Sequence, residues 1–301
     1  MDLALTGPTD CSPKTGVERW TFGDWQVSCS PAEGARLSEL RYGDLSLLVG
    51  APANFHTPAR EYGRYETRPV YGYDDCFPSI DACPYPGNSE ESVEDHGELC
   101  WLPWQVEATH DQLRCEVVSR RLPLRFMRMM AFAGARIDWE FTVENHGDVP
   151  LPFLHAMHAL MPLDEVIGVE LPSFAEATEE MHGGLPRGTD TAAMAAHLLA
   201  IPRGRAEMIM LRGVASNGFA LRFRSGRTLR VSYSRDLFPT LGVWWDNAGY
   251  PDEEGLQRIE CAFEPLAGPS TSLERSFAFG KHQTALPRSV TSWNIRWEIV
   301  S

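Results

Sequence analysis

The chain has 301 residues, with 27 Lys and Arg against 41 Asp and Glu, so its formal charge is −14. That balance excludes nucleic acid and an anionic membrane as main partners, because both need a basic face. Hydrophobic residues at 43% and aromatics at 10% suffice for a packed core and exclude disorder. No apolar run approaches the ~20 residues of a membrane helix, and the first residues lack a charged-then-apolar leader. The expectation is a cytoplasmic protein. Seven cysteines, an odd number without a CxxC pair, fit free thiols in a reducing compartment rather than a disulfide framework.

In chain order, short segments of period-two alternation lie between Gly and Pro breaks and predict strands. They fall at 20–28, 35–42, 44–49, 112–119 and 124–132, the last turning at Ala133-Gly134 into 135–144. In that strand Ala135, Ile137, Trp139, Phe141 and Val143 share one face, and Arg136, Asp138, Glu140, Thr142 and Glu144 the other. Further strands are predicted at 151–160, 206–211, 218–223, 228–233, 240–245, 258–264, 273–279 and 292–299. Two short helices are predicted, one from the capping box Ser173-Phe-Ala-Glu176 and one over 191–199. Many short strands and no linker predict an all-β sandwich or barrel forming one domain over 1–301. The irregular segment 52–97 reads as a long loop over a site.

Histidines dominate the candidate chemistry. His146, in Glu144-Asn145-His146-Gly147-Asp148, reads as a solvated turn residue. His96 ends the irregular segment in Asp95-His96-Gly97-Glu98. His155 and His158 lie three apart among Pro150, Pro152 and Pro162, which disfavour a helix. On a strand that odd spacing puts them on opposite faces, so they do not form a zinc pair, and no metal is expected. One should face the concave side of its sheet and the other pack inside. Glu264, at a strand end before Pro265, projects either into a cleft or to solvent. Asp74-Asp75, Trp244-Trp245-Asp246 and the pair Trp101 and Trp104 add carboxylates beside aromatic platforms, a combination suited to sugars. No phosphate loop, nucleophile elbow or dinucleotide fingerprint is present.

Taken in order, several stretches resemble the aldose 1-epimerase (galactose mutarotase-like) family over about residues 20–280. They are Gly34-Ala-Arg-Leu-Ser-Glu-Leu40 with Asp44-Leu-Ser-Leu-Leu48, the His96-Gly97 pair, Asn145-His-Gly-Asp148 before Pro152-Phe-Leu-His-Ala-Met-His158, and Glu264-Pro265 followed by Gly268. The resemblance implies a β-supersandwich with a sugar site on its concave sheet. It also implies His158 rather than His155 as the catalytic histidine, because the interval from Pro152 matches. The implied reaction is ring opening between α and β anomers, with Glu264 as base, His158 as acid, His96 near the ring oxygen, and no cofactor. Arg68, Asp75, Trp104, Asp246 and Glu207 are candidate sugar contacts, Asp246 and Glu207 for the family's acidic sugar ligand, while Arg68 could equally pair with nearby aspartates. Departures from the pattern are Leu99-Cys-Trp-Leu-Pro-Trp104, where an arginine is usual, and Ala159-Leu160-Met161, where an aromatic pair is usual. A non-catalytic sugar-binding or sugar-sensing protein, and more weakly a polysaccharide-modifying enzyme, are the alternatives on the same architecture. A phosphorylated sugar would call on Arg120, Arg121, Arg125 or Arg128. The expected partner is a free monosaccharide, and the expected state a monomer or homodimer.

Overall fold

The computed structural model describes residues 16–51, 59–250 and 257–301. An eight-stranded antiparallel sheet runs in the order Val166–Glu170, Gly218–Phe223, Thr228–Tyr233, Val290–Val300, Arg136–Asn145, Leu124–Ala133, Gln112–Val118 and Gln105–Ala108. Its inward residues alternate as the pattern predicts: Ile137, Trp139, Phe141 and Val143 are buried along one face of the Arg136–Asn145 strand.

Two six-stranded sheets cover that face. One contains Glu18–Phe22, Trp25–Ser30, Arg36–Tyr42, Leu45–Ser46, Tyr73–Cys76 and Ala156–Ala159. The other contains Met161–Pro162, Ile259–Leu266, Thr240–Asn247, Arg205–Arg212, Glu176–Glu179 and Leu185–Arg187. The stretch 156–162 joins them: His158 lies opposite Asp74 in the first sheet, and Pro162 opposite Glu260 in the second. Rings from both layers interlock, Phe126 with Phe77, Trp139 with Tyr73, Phe132 with Trp25 and Phe219 with Phe263. The all-β sandwich is therefore the fold.

Four local expectations change. The predicted 20–28 strand is a hairpin, Glu18–Phe22 with Trp25–Ser30, turning where Gly23 takes a φ of 61°. The predicted 151–160 strand breaks at Leu154-His155, because Leu151–Phe153 pairs with Gln283–Ala285 while Ala156–Ala159 pairs with Tyr73–Cys76. The predicted 273–279 strand is a helix, Leu273–Ala278, whose N-cap Ser272 side chain accepts from the Arg275 amide. Leu273 and Ser276, three residues apart, face inward, while Phe277 stays exposed. The capping-box helix at Ser173 does not form, since Glu176–Glu179 is held as a strand against Arg205–Arg212. The second predicted helix forms at Thr191–Ala200 and buries Met194 and Leu198.

Among the described residues six cysteines are free and buried; Cys11 lies outside them. Arg128, expected on a solvent face, is instead fully buried on the Leu124–Ala133 strand. It donates to Asp75 Oδ2 at 2.5 Å and to the Ala35 carbonyl at 2.7 Å. Its charge is tolerated inside because a carboxylate and a carbonyl meet it there.

Candidate active site

On the far side of the second six-stranded sheet from the core lies a cavity of about 360 Å³. Alternation along the strands builds its floor. Val243, Trp245, Cys261 and Phe263 are buried in the sandwich, while Trp244, Glu260 and Glu264 line the cavity, with Met208 from the adjacent strand. Gly242 sits opposite Glu264 in register, and a Cβ there would come within 3.5 Å of its Oε2. The missing side chain leaves room over the carboxyl.

Of the expected loop over a site, 52–58 lie outside the described residues; the segment 59–97 supplies the wall, although it also contains the strands Tyr73–Cys76, Cys83–Tyr85 and Asn88–Val93. Tyr65, Ile80, Asp81, Asp95 and His96 from it face the cavity. His96 has a φ of 60° and Gly97 one of 74°. A Cβ on Gly97 would lie 2.0 Å from the Phe77 carbonyl oxygen, so only glycine permits this turn. The His96 amide donates to the Ile80 carbonyl at 2.6 Å, and the Glu98 carboxylate ties the turn down by accepting from Ser119 Oγ and the Arg120 amide.

His96, His158 and Glu264 meet in this cavity. The two imidazoles stand edge to face with centroids 4.7 Å apart, and the Tyr65 ring stacks on His96 at 3.7 Å. Tyr65 donates its hydroxyl proton to Asp74 Oδ2 at 2.9 Å, and its oxygen lies 3.5 Å from His158 Nδ1. Asp74 is clamped from behind by both terminal nitrogens of Arg68, at 3.0 and 3.1 Å. Asp95 Oδ1 lies 3.0 Å from His96 Nδ1.

Burial, reinforced by His96, Arg258 and Arg68, holds the His158 imidazole well below its ordinary value, so it is neutral. Glu264 is 2% exposed, and no hydrogen bond reaches its carboxylate among the described residues. Burial, with Asp81 nearby, pushes it up to about 7, against a smaller pull downward from His96. The late Gly268 fits by necessity: a Cβ there would lie 2.1 Å from Ser276 Oγ of the capped helix.

The remaining sugar-contact candidates do not line the cavity. Arg68 is spent on Asp74 and the Glu33 carbonyl. Asp75 is a core residue that accepts from Tyr73, Arg128 and His155. Burial alone would raise its carboxyl, but Arg128 and His155 outweigh that and hold it below the ordinary value. His155 lies among Phe126, Phe141 and Trp293, the packing histidine of the pair. Trp104 is buried and donates to the Leu99 carbonyl at 2.9 Å. Asp246 Oδ1 caps the turn at the Gly249 and Tyr250 amides, and Glu207 is enclosed by Arg187, His197 and Arg205. Residues that sequence reasoning missed are Tyr65, Asp81, Arg258 and Glu260. Period-two alternation through Glu264 did place Glu260 on its face, the one signal that could have found it.

Among the described residues no cluster of three His, Cys, Asp or Glu side chains could hold a metal ion, and no helix is long and apolar enough to cross a membrane. No protein-family profile and no curated protein matches the sequence. Solved structures do. The Slr1438 protein from Synechocystis sp. superposes with a TM-score of 0.71 at 16% identity, over 98% of this chain and 99% of that one. The galactose mutarotase related enzyme from Lactobacillus acidophilus gives 0.67 at 15% identity, over 95% and 98%. A galactose mutarotase-like protein from Clostridium acetobutylicum gives 0.66 at 14%, over 94% of each. With the motifs and the sandwich already described, these superpositions identify the chain's architecture as the galactose mutarotase-like fold.

Proposed function

We propose that this protein interconverts the α and β anomers of a monosaccharide by acid–base opening and closing of the ring. The observation that carries this is Glu264, a buried carboxyl without a hydrogen-bond partner among the described residues, lining the same cavity as two histidines. Burying such a group unmet is unfavourable, and active sites are where that arrangement recurs.

Opening breaks C1–O5 and forms C1=O1, so a proton must leave the anomeric hydroxyl while another reaches the ring oxygen. Because the Tyr65 proton is committed to Asp74, the tyrosine oxygen can only accept from His158 Nδ1. That contact favours the Nδ1–H tautomer, in which the Nε2 lone pair serves as base. Glu264, held up at about 7, keeps a proton near neutrality and serves as acid. The family resemblance alone divides these roles the other way. After C1 turns in the open aldehyde, Glu264 takes the proton back from O5 and His158 returns one to O1. The site ends as it began, with no net proton exchanged. Asp95 accepts from His96 Nδ1, leaving its other nitrogen for a sugar oxygen.

Polarimetry on D-glucose and D-galactose tests this. The protein should speed anomer exchange, and Glu264→Gln should lose at least about 100-fold of that acceleration. Full activity in the variant refutes the assignment. Sugar binding without acceleration would make the protein a sugar-binding or sugar-sensing member of the fold.

A further inference from the structure

The cavity holds a second carboxyl whose bonding is incomplete. Glu260 lies on the same strand face as Glu264, four residues earlier and thus about 13 Å along the strand. Trp244 lies between them in register, opposite Ala262. Glu260 is fully buried; its Oε1 accepts from the Trp244 indole N–H at 3.4 Å and is ion-paired with Arg258 Nη1 at 3.2 Å. Among the described residues its Oε2 and the Arg258 Nε are buried with no hydrogen-bond partner.

One ion pair thus leaves open an acceptor and a donor. A hydroxyl can answer either, since it donates one hydrogen bond and accepts others. A phosphate offers only acceptors and negative charge. It would also meet Glu66, Asp81, Asp95, Glu180, Glu260 and Glu264, with Arg258 the only Lys or Arg among the described residues lining the cavity. The Trp244 ring offers an apolar face on which the C–H side of a pyranose can rest while its two ends reach the two carboxyls.

We propose that Arg258 and Glu260 form a hydroxyl-reading subsite, remote from the anomeric carbon, that selects uncharged sugars and rejects phosphorylated ones. This rests on the cavity being the sugar site proposed above.

The test combines calorimetric binding with anomer-exchange kinetics on D-glucose, D-galactose, their monodeoxy analogues and D-glucose 6-phosphate. Glu260→Gln should raise Kd and KM about 10-fold or more while kcat falls less, because the lost contact is made equally in ground and transition states. For the wild-type protein, one monodeoxy analogue should bind about 10-fold or more weakly than its parent, and that penalty should vanish in Glu260→Gln. The 6-phosphate should bind about 100-fold more weakly than glucose, as an unpaired anion beside buried carboxylates requires. The wild-type deoxy penalty and the phosphate arm need no variant, so they hold if Glu260→Gln misfolds. Unchanged KM in a folded Glu260→Gln, equal deoxy penalties in both proteins, or a 6-phosphate bound as tightly as glucose overturns the subsite. Binding without anomer exchange removes the catalytic proposal and leaves the subsite to be judged on affinities. Failure to bind any of these sugars overturns both.

Discussion

Replacing Glu264 by Gln separates chemistry from stability, because the same burial governs both. The carboxyl sits at about 7 in the fold against 4.5 when free. The folded state therefore holds the proton more tightly than the unfolded chain, and stability falls as pH rises from about 4.5 to about 7. Above that range the loss is complete. A gap of about 2.5, at about 1.4 kcal/mol for each, makes the ionised carboxylate destabilising by about 3–4 kcal/mol. Gln keeps the shape and removes the charge. Melting curves of wild type and Glu264→Gln should coincide near pH 4, while at pH 8 the variant should melt about 5 °C higher. At the same pH it should lose at least about 99% of the anomer-exchange acceleration. A variant with no stability gain at pH 8 would refute the placement of an uncompensated buried carboxyl in this cavity. A gain in stability with activity intact would refute its catalytic use alone.

The one-proton state of Glu264 and His158 should give kcat/KM that holds at mildly acidic pH and falls about tenfold per pH unit above about 7, whichever group carries the proton; a rise above pH 7 would contradict it. Tyr65→Phe keeps the stack on His96 but removes the hydroxyl between Asp74 and His158, so kcat should drop about 10-fold with KM little changed. Gly97→Ala places a Cβ against the Phe77 carbonyl at a φ of 74°, and urea unfolding should register a loss of about 3 kcal/mol. Asp75→Asn leaves Arg128 buried without its carboxylate and should cost about 3–5 kcal/mol, while the folded fraction binds sugar as before.

The strands were most legible where alternation runs long and unbroken. Residues 135–144 read directly because Ile137, Trp139, Phe141 and Val143 alternate without interruption. Local chemistry overrode the pattern elsewhere: Gly23 bends the expected 20–28 strand into a hairpin, and Ser272 caps a helix where alternation suggests a strand. At the site, His96, His158 and Glu264 were legible through ordered motifs. The rest of the cavity was not, because its members come from distant segments. Tyr65 and Asp81 reach it only when 59–97 folds back, and alternation puts Glu260 on the Glu264 face without marking it or Arg258 as functional. Asp75 attracted attention as a carboxylate near aromatics, and only its three partners show that it belongs to the core.

Asp75 and Glu264 together show what separates a structural acid from a chemical one. Both are almost wholly buried. Asp75 has a guanidinium, an imidazole and a phenol directed at it, so its charge is the favoured form and its carboxyl sits below the ordinary value. A group so fully satisfied has neither a proton to give nor a lone pair to spare for a ligand. Among the described residues Glu264 accepts no hydrogen bond and only His96 favours its charge, so its proton is retained near neutrality and can move. Glu260 lies between these cases, half satisfied by Arg258 and still up at about 7. The order of compensation, complete at Asp75, partial at Glu260 and absent at Glu264, matches the roles proposed for them: core anchor, sugar-reading group and proton carrier. An incoming hydroxyl gains most where the fold has left most undone, which places the reacting end of the sugar at Glu264 and its far end at Glu260.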